Sequence, residues 1–247
     1  MIRMTEPFFI PSKHKYGLST SPIWDFMNRN VTFAVRCNPE WDKIKEGQDI
    51  GLVVRNGMHA GLQLSHEYIP VLECNKGFVK GLIWIKESED EPAKPKMLIH
   101  GLGPIHEEET WDIVWSHDVK RKQVSLMVAK QGWEKPHVET MIYNGTLVDY
   151  SQSWLWIGCN NALEMVPEKD KGFYVGDIGR VGIFGSIFKQ EDYIEYFTKD
   201  EFNLDYWKYK NPIARIDFKS RTPYKFWDST LNGNNATLYR PEWGDLF

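Results

Sequence analysis

Apolar and polar residues alternate along many short segments of this chain. Residues 30–38, NVTFAVRCN, place Val31, Phe33, Val35 and Cys37 on one side and the remaining residues on the other. A period of two, with β-branched and aromatic residues, is typical of a strand with one buried face. Similar segments follow, in order DIGLVVR, AGLQLSHE, YIPVLECN, FVKGLIWIK, WDIVWSHD, QVSLMVAK, ETMIYN, SWLWIGCN and GRVGIFG. The pattern therefore predicts about ten short strands.

Turn residues separate these segments. Asn56-Gly57 lies between two of them and is typical of a tight hairpin turn. Asn75-Lys76-Gly77 predicts a second hairpin turn between YIPVLECN and FVKGLIWIK.

Helical spacing is convincing in one place only. Tyr193, Ile194 and Phe197 recur at helical intervals, and Glu191 and Asp192 suit the first turn of a helix. We expect one short helix near residues 190–198. Because strands do not alternate with long helices, the chain is predicted to be all-β, an antiparallel sandwich or barrel rather than a doubly wound α/β fold.

Composition narrows the class of protein. The chain has 247 residues, of which 42% are hydrophobic and 14% aromatic, so it can bury a sizeable core. An all-β sandwich of this length can form one domain, and no Gly-, Ser- or Pro-rich linker divides the sequence, which predicts a single domain over residues 1–247.

Charge and hydropathy argue against two kinds of partner. A net charge of −4 lacks the basic surplus of nucleic-acid-binding domains. No apolar stretch approaches 18 residues, so membrane insertion is not expected.

The first residues lack the apolar run of a signal peptide. The three cysteines have no CxxC spacing, and all of them are expected to be free thiols: Cys37, Cys74 and Cys159.

Four segments resemble one family in the family's own order. They are NVTFAVRCNPEW, WDIVWSHDVKRKQVSLMVAKQG, NGTLVDYSQSWLWIGCNN and FYVGDIGRVGIFGSIFKQEDYIEYF. The chain resembles laminin-G-like domains of the concanavalin A-like lectin and glucanase superfamily. It departs from them at Gly179-Arg180-Val181, where the family has Asp-Glu-Val, and at Val35, where it has Trp. The resemblance implies an antiparallel jelly-roll β-sandwich with a core over about residues 8–198.

Residues 199–247 form a C-terminal extension to this core. Within it, ARIDFKSRTPYKFWDSTLNGNNATLYRPEW resembles a segment that many family members carry before their first strand. Because the termini of a sandwich are often close together, we expect a permuted edge strand here. The alternative is the truncated start of a second domain.

Catalytic patterns are weak in this sequence. Polysaccharide-cleaving members of the superfamily carry paired acids on one strand, as E-x-D-x-E. Glu87, Glu89 and Glu91 have alternating spacing, but they lack the central Asp and run into Pro92 in a predicted loop. No G-x-S-x-G, H-E-x-x-H or P-loop motif occurs. The sequence predicts a protein that is not an enzyme, with a polysaccharide-cleaving glycoside hydrolase as an alternative.

Aromatic residues favour binding. Trp154 and Trp156 are two positions apart, so a strand places both on one face, where indole rings could stack on a sugar. With Asn160 and Asn161 they are the candidate ligand-binding residues. The alternative is that these tryptophans fill the core, which is the interpretation we favour for Trp111 and Trp115.

Calcium binding is a second candidate role for Asn160 and Asn161. The resemblance implies that a calcium ion, which prefers oxygen ligands, could be held at the sandwich edge by Asn160, Asn161 and Asp177. The alternative is a turn at residues 158–161 that needs no metal. We expect no cofactor to be required.

The predicted function is therefore a non-catalytic recognition module of the glycan-binding or adhesion type, within a phage virion or a cell-surface assembly. The alternative is a purely structural virion or assembly protein that packs against neighbouring proteins or copies of itself. The missing signal peptide favours assembly in a virion or in the cytoplasm, although a fragment of a larger exported chain fits too.

Overall fold

The computed structural model describes residues 2–4, 8–10, 29–40, 49–55, 60–69, 74–99, 109–148, 155–158, 174–199, 203–217, 225–226, 228–230, 232 and 236–238. In chain order the strands of this described part are β1 (Ile2–Met4), β2 (Phe8–Ile10), β3 (Val31–Pro39), β4 (Asp49–Arg55), β5 (Ala60–Ile69), β6 (Cys74–Lys86), β7 (Lys94–Ile99), β8 (Trp111–Asp118), β9 (Gln123–Lys130), β10 (His137–Ile142), β11 (Thr146–Leu147), β12 (Leu155–Ile157), β13 (Gly176–Phe184), β14 (Pro212–Asp217), β15 (Lys225–Phe226) and β16 (Ala236–Leu238).

These strands form two antiparallel sheets. The seven-stranded sheet has the order β1–β13–β3–β8–β9–β10, and β14 also pairs with β13. The nine-stranded sheet has the order β11–β6–β5–β4–β12–β2–β16–β15, and β7 also pairs with β6. The predicted all-β fold, an antiparallel β-sandwich of the jelly-roll type, is confirmed.

The core lies between the inner faces of the two sheets. Trp115 of β8 is fully buried there and stacks on Phe33 of β3, with ring centroids 5.2 Å apart. Gly81 of β6 faces them from the other sheet, and a Cβ atom at this position would collide with the Trp115 ring. The inner faces therefore fit closely, and each large side chain buried here contributes about 1.5–3 kcal/mol.

The prediction of a hairpin turn at Asn75–Gly77 is wrong. These residues lie inside β6 and pair with β5, since Asn75 is opposite Tyr68 and Gly77 is opposite His66. The pairing ends with Ile69 opposite Cys74, so the chain reverses between those two residues.

The helices form a third layer. The predicted helix is confirmed as α1 (Gln190–Thr198), and α2 (Leu204–Trp207) and a 3-10 helix (Lys208–Lys210) follow it. At the start of α1, the Asp192 carboxylate accepts hydrogen bonds from the Lys189 backbone N–H at 2.7 Å and from Lys210 Nζ at 2.6 Å. None of the helices in the described part is long and apolar enough to span a membrane.

This helical layer covers the outer face of the seven-stranded sheet. Phe184 of β13 lies against three rings of the layer, with centroid distances of 4.7 to 5.5 Å to Phe188, Trp207 and Tyr196. Ala34 of β3 is fully buried beneath the layer. The prediction that β3 has only one buried face is therefore wrong, because the chain after β13 folds back over the other face.

The C-terminal residues pair with both sheets. Ile213 and Ile216 of β14 are buried in the core next to β13, and β16 pairs with β2 in the other sheet. The Asp228 carboxylate accepts hydrogen bonds from the backbone N–H groups of Arg215 at 3.0 Å and Thr230 at 2.9 Å. These contacts are those that a permuted edge strand would make. The assignment of residues 1–247 to one domain stays a prediction.

Candidate functional site

The outer face of the seven-stranded sheet is closed by a network of charges. Arg36 donates two hydrogen bonds to the Asp112 carboxylate, at 2.6 and 2.7 Å, and a third to the backbone carbonyl of Phe197 at 2.8 Å. Arg180 donates to the carbonyls of Tyr196 and Lys199. Both arginines therefore satisfy carbonyl groups at the C-terminal end of α1, where the helix dipole also favours positive charge.

Asp217 extends this network along the sheet. Its carboxylate accepts a hydrogen bond from Arg180 Nε at 2.9 Å and lies 3.2 Å from Arg215 Nη2. The guanidinium groups of Arg180 and Arg215 also lie over the ring of Tyr196, and Gly182 below has no side chain to displace that ring. These residues anchor the helical layer to the sheet, so the described part of this outer face over β3, β8 and β13 is covered by the helices. No local sequence pattern marks these residues, because the partners lie far apart along the chain.

The outer face of the nine-stranded sheet is different at β6 and β7. Side chains that alternate with the core residues of these strands point outward, and we call them the β6–β7 face; its members are Lys80, Leu82, Trp84, Pro95, Met97 and Ile99. Met97 and Ile99 are 48% and 49% exposed, and Trp84 is half-buried. Lys80 and Leu82 are buried. An indole beside exposed apolar side chains offers a flat surface on which the apolar face of a sugar ring can stack.

The loop at residues 87–93, which carries Glu87, Glu89 and Glu91, borders this face. It connects β6 to β7, and its acids pair with lysines rather than with one another. Glu87 contacts Lys96 at 2.8 Å, and Glu91 contacts Lys94 at 3.3 Å. The hydrogen bond from Lys96 lowers the pKa of Glu87. The arrangement places charged groups beside Trp84, and two of the acids, Glu87 and Glu91, are held in ion pairs.

The predicted ligand-binding residues belong to the same sheet or lie outside the described residues. Trp156 is the middle residue of β12, which pairs with β2 and β4 in the nine-stranded sheet. Its neighbour Ile157 is fully buried in the core. Trp154, Asn160 and Asn161 lie outside the described residues.

Asp177, the third predicted calcium ligand, lies half-buried in β13 opposite Asn38 of β3. The Asn38 Oδ1 atom is buried, and it has no hydrogen-bond partner among the described residues. An unpaired amide oxygen beside a carboxylate fits the oxygen ligands that calcium prefers. Gly158 accepts a hydrogen bond from Tyr174 at 2.8 Å, and the Tyr174 hydroxyl donates to the Asp177 carbonyl at 3.0 Å, which brings the chain before Asn160 close to β13. Among the described residues, no three His, Cys, Asp or Glu side chains group as metal ligands.

Other chemistry-bearing residues belong to the core. Trp111 and Trp115 are buried there, as expected. The His117 ring lies 2.7 Å from the Tyr143 hydroxyl, and burial lowers the pKa of His117 to about 4. Cys37 is a buried free thiol whose pKa is raised by burial. Cys159 and the side chain of Cys74 lie outside the described part.

Solved structures that are similar to this chain at low sequence identity include the following two. The chain is similar to the CBM40 of the Ruminococcus gnavus IT-sialidase bound to α2,3-sialyllactose, with a TM-score of 0.46, 12% identity, and 79% of this chain and 94% of the other covered. It is also similar to a heptameric SAP-like pentraxin from Limulus polyphemus, with a TM-score of 0.42, 10% identity, and 67% and 68% covered. No family model and no curated protein sequence matches the chain.

Proposed function

We propose that this protein is a non-catalytic glycan-binding module and that the β6–β7 face contributes its binding surface. The observation that carries the proposal is the half-buried indole of Trp84, opposite Pro95 and flanked by the half-exposed Met97, on a sheet face that the helical layer does not cover. A ring held in this way loses little conformational entropy when a sugar stacks on it.

Strand register extends this surface toward the tryptophans predicted from the sequence. Backbone pairing aligns one row of positions across five strands, namely Met97, Leu82, Gly61, Val54 and Trp156. Three strand spacings separate β12 from β6, which is about 14 Å. We propose that the binding surface extends along this row of backbone positions, from Met97 toward β12.

The finer assignments are also proposals. Membership of the laminin-G-like group would account for the order of the four resembling segments. Trp154, Asn160 and Asn161 would add contacts at the loop after β12, and calcium at Asp177 and Asn38 would order that loop.

A glycan array that includes α2,3-sialyllactose, followed by titration calorimetry on the best ligand, tests this function. Trp84→Ala should weaken binding at least tenfold, since the substitution removes the aromatic ring on which the sugar stacks and the apolar area of that ring. Tyr209→Ala is the matched control, because Tyr209 is an aromatic residue that is 81% exposed on the opposite layer. Its affinity should equal that of the unmodified protein.

Two results would reject the proposal. One is the absence of binding to any glycan on the array. The other is equal affinity for Trp84→Ala and the unmodified protein, which would remove the β6–β7 face from the binding surface. A structural role within an assembly would then be the better interpretation.

A further inference from the structure

Strand β10 forms an open edge of the seven-stranded sheet. Among the described strands only β9 pairs with it. Three β-branched residues of β10 point outward: Val138 is 44% exposed, Ile142 is 75% exposed, and Thr140 between them is exposed as well. Exposed edges with apolar β-branched residues invite pairing with another strand.

The same three residues direct their backbone groups to the open side. Tyr143, the residue after β10, donates its N–H to the Lys122 carbonyl at 2.9 Å, toward the sheet. In an antiparallel ladder, alternate residues direct both N–H and C=O to the same side. Val138, Thr140 and Ile142 therefore direct their N–H and C=O groups away from β9, to a side where no described strand pairs with them.

We propose that two copies of this chain associate through β10, edge to edge and antiparallel, around a two-fold axis at Thr140. This inference goes beyond glycan binding. In this register Val138 lies opposite Ile142 of the second copy, and Thr140 lies opposite Thr140. The three outward residues of each copy then form six main-chain hydrogen bonds, and every facing pair is β-branched, which is a favourable cross-strand combination.

Charge complementarity identifies the second copy as the occupant. The end of β10 that begins at His137 follows the exposed Glu134 and Lys135 and carries Glu139, so it is net negative. The other end adjoins the β8–β9 turn, where Lys120, Arg121 and Lys122 outnumber Asp118. An antiparallel dimer brings the acidic end of one copy to the basic end of the other, twice. A symmetric interface requires such self-complementarity, whereas an unrelated peptide does not supply it.

Sedimentation equilibrium over a concentration series from about 1 to about 100 µM tests the dimer. The 29.0 kDa chain should approach twice its mass as the concentration rises. Thr140→Lys places two lysines opposite each other on the axis and should raise the dissociation constant at least about tenfold. Ile194→Lys, on the exposed side of α1, is the control and should dimerise like the unmodified chain.

Mixing separates the proposed register from other effects of the substitution. An equimolar mixture of Thr140→Lys and Thr140→Glu chains should form the dimer that neither forms alone, because opposite charges then face each other. Circular dichroism and melting temperature establish that each variant is folded, and Ile142→Lys is a second disruptive variant. A monomer at all concentrations, an undisturbed Thr140→Lys dimer, or a mixture that stays monomeric would overturn the proposal.

Discussion

The two outer faces of this sandwich are used in opposite ways. On the seven-stranded sheet, Ala34 and Val114 are fully buried beneath aromatic rings of the helical layer. On the nine-stranded sheet, Met97 and Ile99 keep about half of their surface exposed. The strands of both sheets have apolar residues on both faces, so hydrophobic pattern alone does not distinguish them. The difference arises because the described helices after β13 pack on the seven-stranded sheet.

The covered face also shows how charge fixes the position of a helix. Asp112, Arg180 and Arg215 are buried, and Arg36 and Asp217 are half-buried. Each of these charges has an opposite charge or a carbonyl group in contact. Burying ions costs free energy, which their mutual attraction repays only when the geometry is good. A helix displaced along the sheet would leave Arg36 and Arg180 without the carbonyls of Phe197 and Tyr196. The network therefore favours one placement of α1 over its neighbours.

The largest effect is expected from deleting residues 212–247. This change removes β14 from the core and two strands from the other sheet, and it takes Arg215 and Asp217 out of the network. Each large apolar side chain lost is worth about 1.5–3 kcal/mol, against a total stability of about 5–15 kcal/mol. The shortened chain should be insoluble or melt far lower in a thermal scan. An unchanged melting temperature would show that the segment is the stub of a second domain.

Asp112→Ala should produce the next largest loss. The substitution leaves the Arg36 guanidinium buried without its carboxylate, which costs about 3–5 kcal/mol. Chemical denaturation measures this free energy. The control is Asp205→Ala, at an exposed position of α2, which should leave the denaturation midpoint unchanged. Equal midpoints for the two variants would mean that the covered face does not depend on its charges.

The sequence predicted the strands and their core-facing residues better than it predicted which outer faces are covered. Alternation identified Val31, Phe33, Val35 and Cys37 as the inner side of β3, because burial between two sheets has a local period. It did not predict that Ala34 is buried too, since its cover comes from residues more than 140 positions later. The pairings of Arg36 with Asp112 and of Arg180 with Asp217 have no local signature either. The sequence also does not mark Trp84, within the predicted strand FVKGLIWIK, as a binding residue. Its role in the proposed site depends on the exposure of the neighbouring Met97, which is set by the residues that cover the sheet.

Acid should destabilise the protein through His117, which lies inside the sandwich. Its pKa is lowered to about 4 by burial, against 6.5 when exposed. The unfolded chain then binds the extra proton first, so stability is fully present above pH 6.5 and is lost as the pH falls toward 4. The loss is about 3 kcal/mol. Denaturation at several pH values measures it.

A His117→Gln variant should flatten this pH dependence, while the partly exposed His137→Gln should keep it. If the pH dependence of the His117→Gln variant matched that of the unmodified chain, other groups would account for the acid sensitivity.

Calcium should raise stability if Asp177 and Asn38 take part in binding it. A ligand at one hundred times its dissociation constant stabilises the folded state by about 2.7 kcal/mol. Differential scanning fluorimetry with calcium or with a chelator measures the shift. Asp177→Ala should abolish it and Asp205→Ala should keep it. A shift that persists in Asp177→Ala would place the ion elsewhere.

The smallest effect on stability is expected on the β6–β7 face. Ile99→Thr changes a side chain that is half exposed, so its cost in stability should stay within about 0.5 kcal/mol. Ile83→Thr makes the same substitution on the inner face of the neighbouring strand β6, where the side chain is fully buried, and should cost about 2 kcal/mol or more. Chemical denaturation compares the two, and titration with the best glycan compares their affinities. Ile99→Thr should then weaken binding while leaving stability intact, because an exposed apolar residue next to the Trp84 surface contributes area only when a ligand covers it. A loss of stability at Ile99 as large as at Ile83 would show that the nine-stranded sheet is covered after all, and that both outer faces serve the fold.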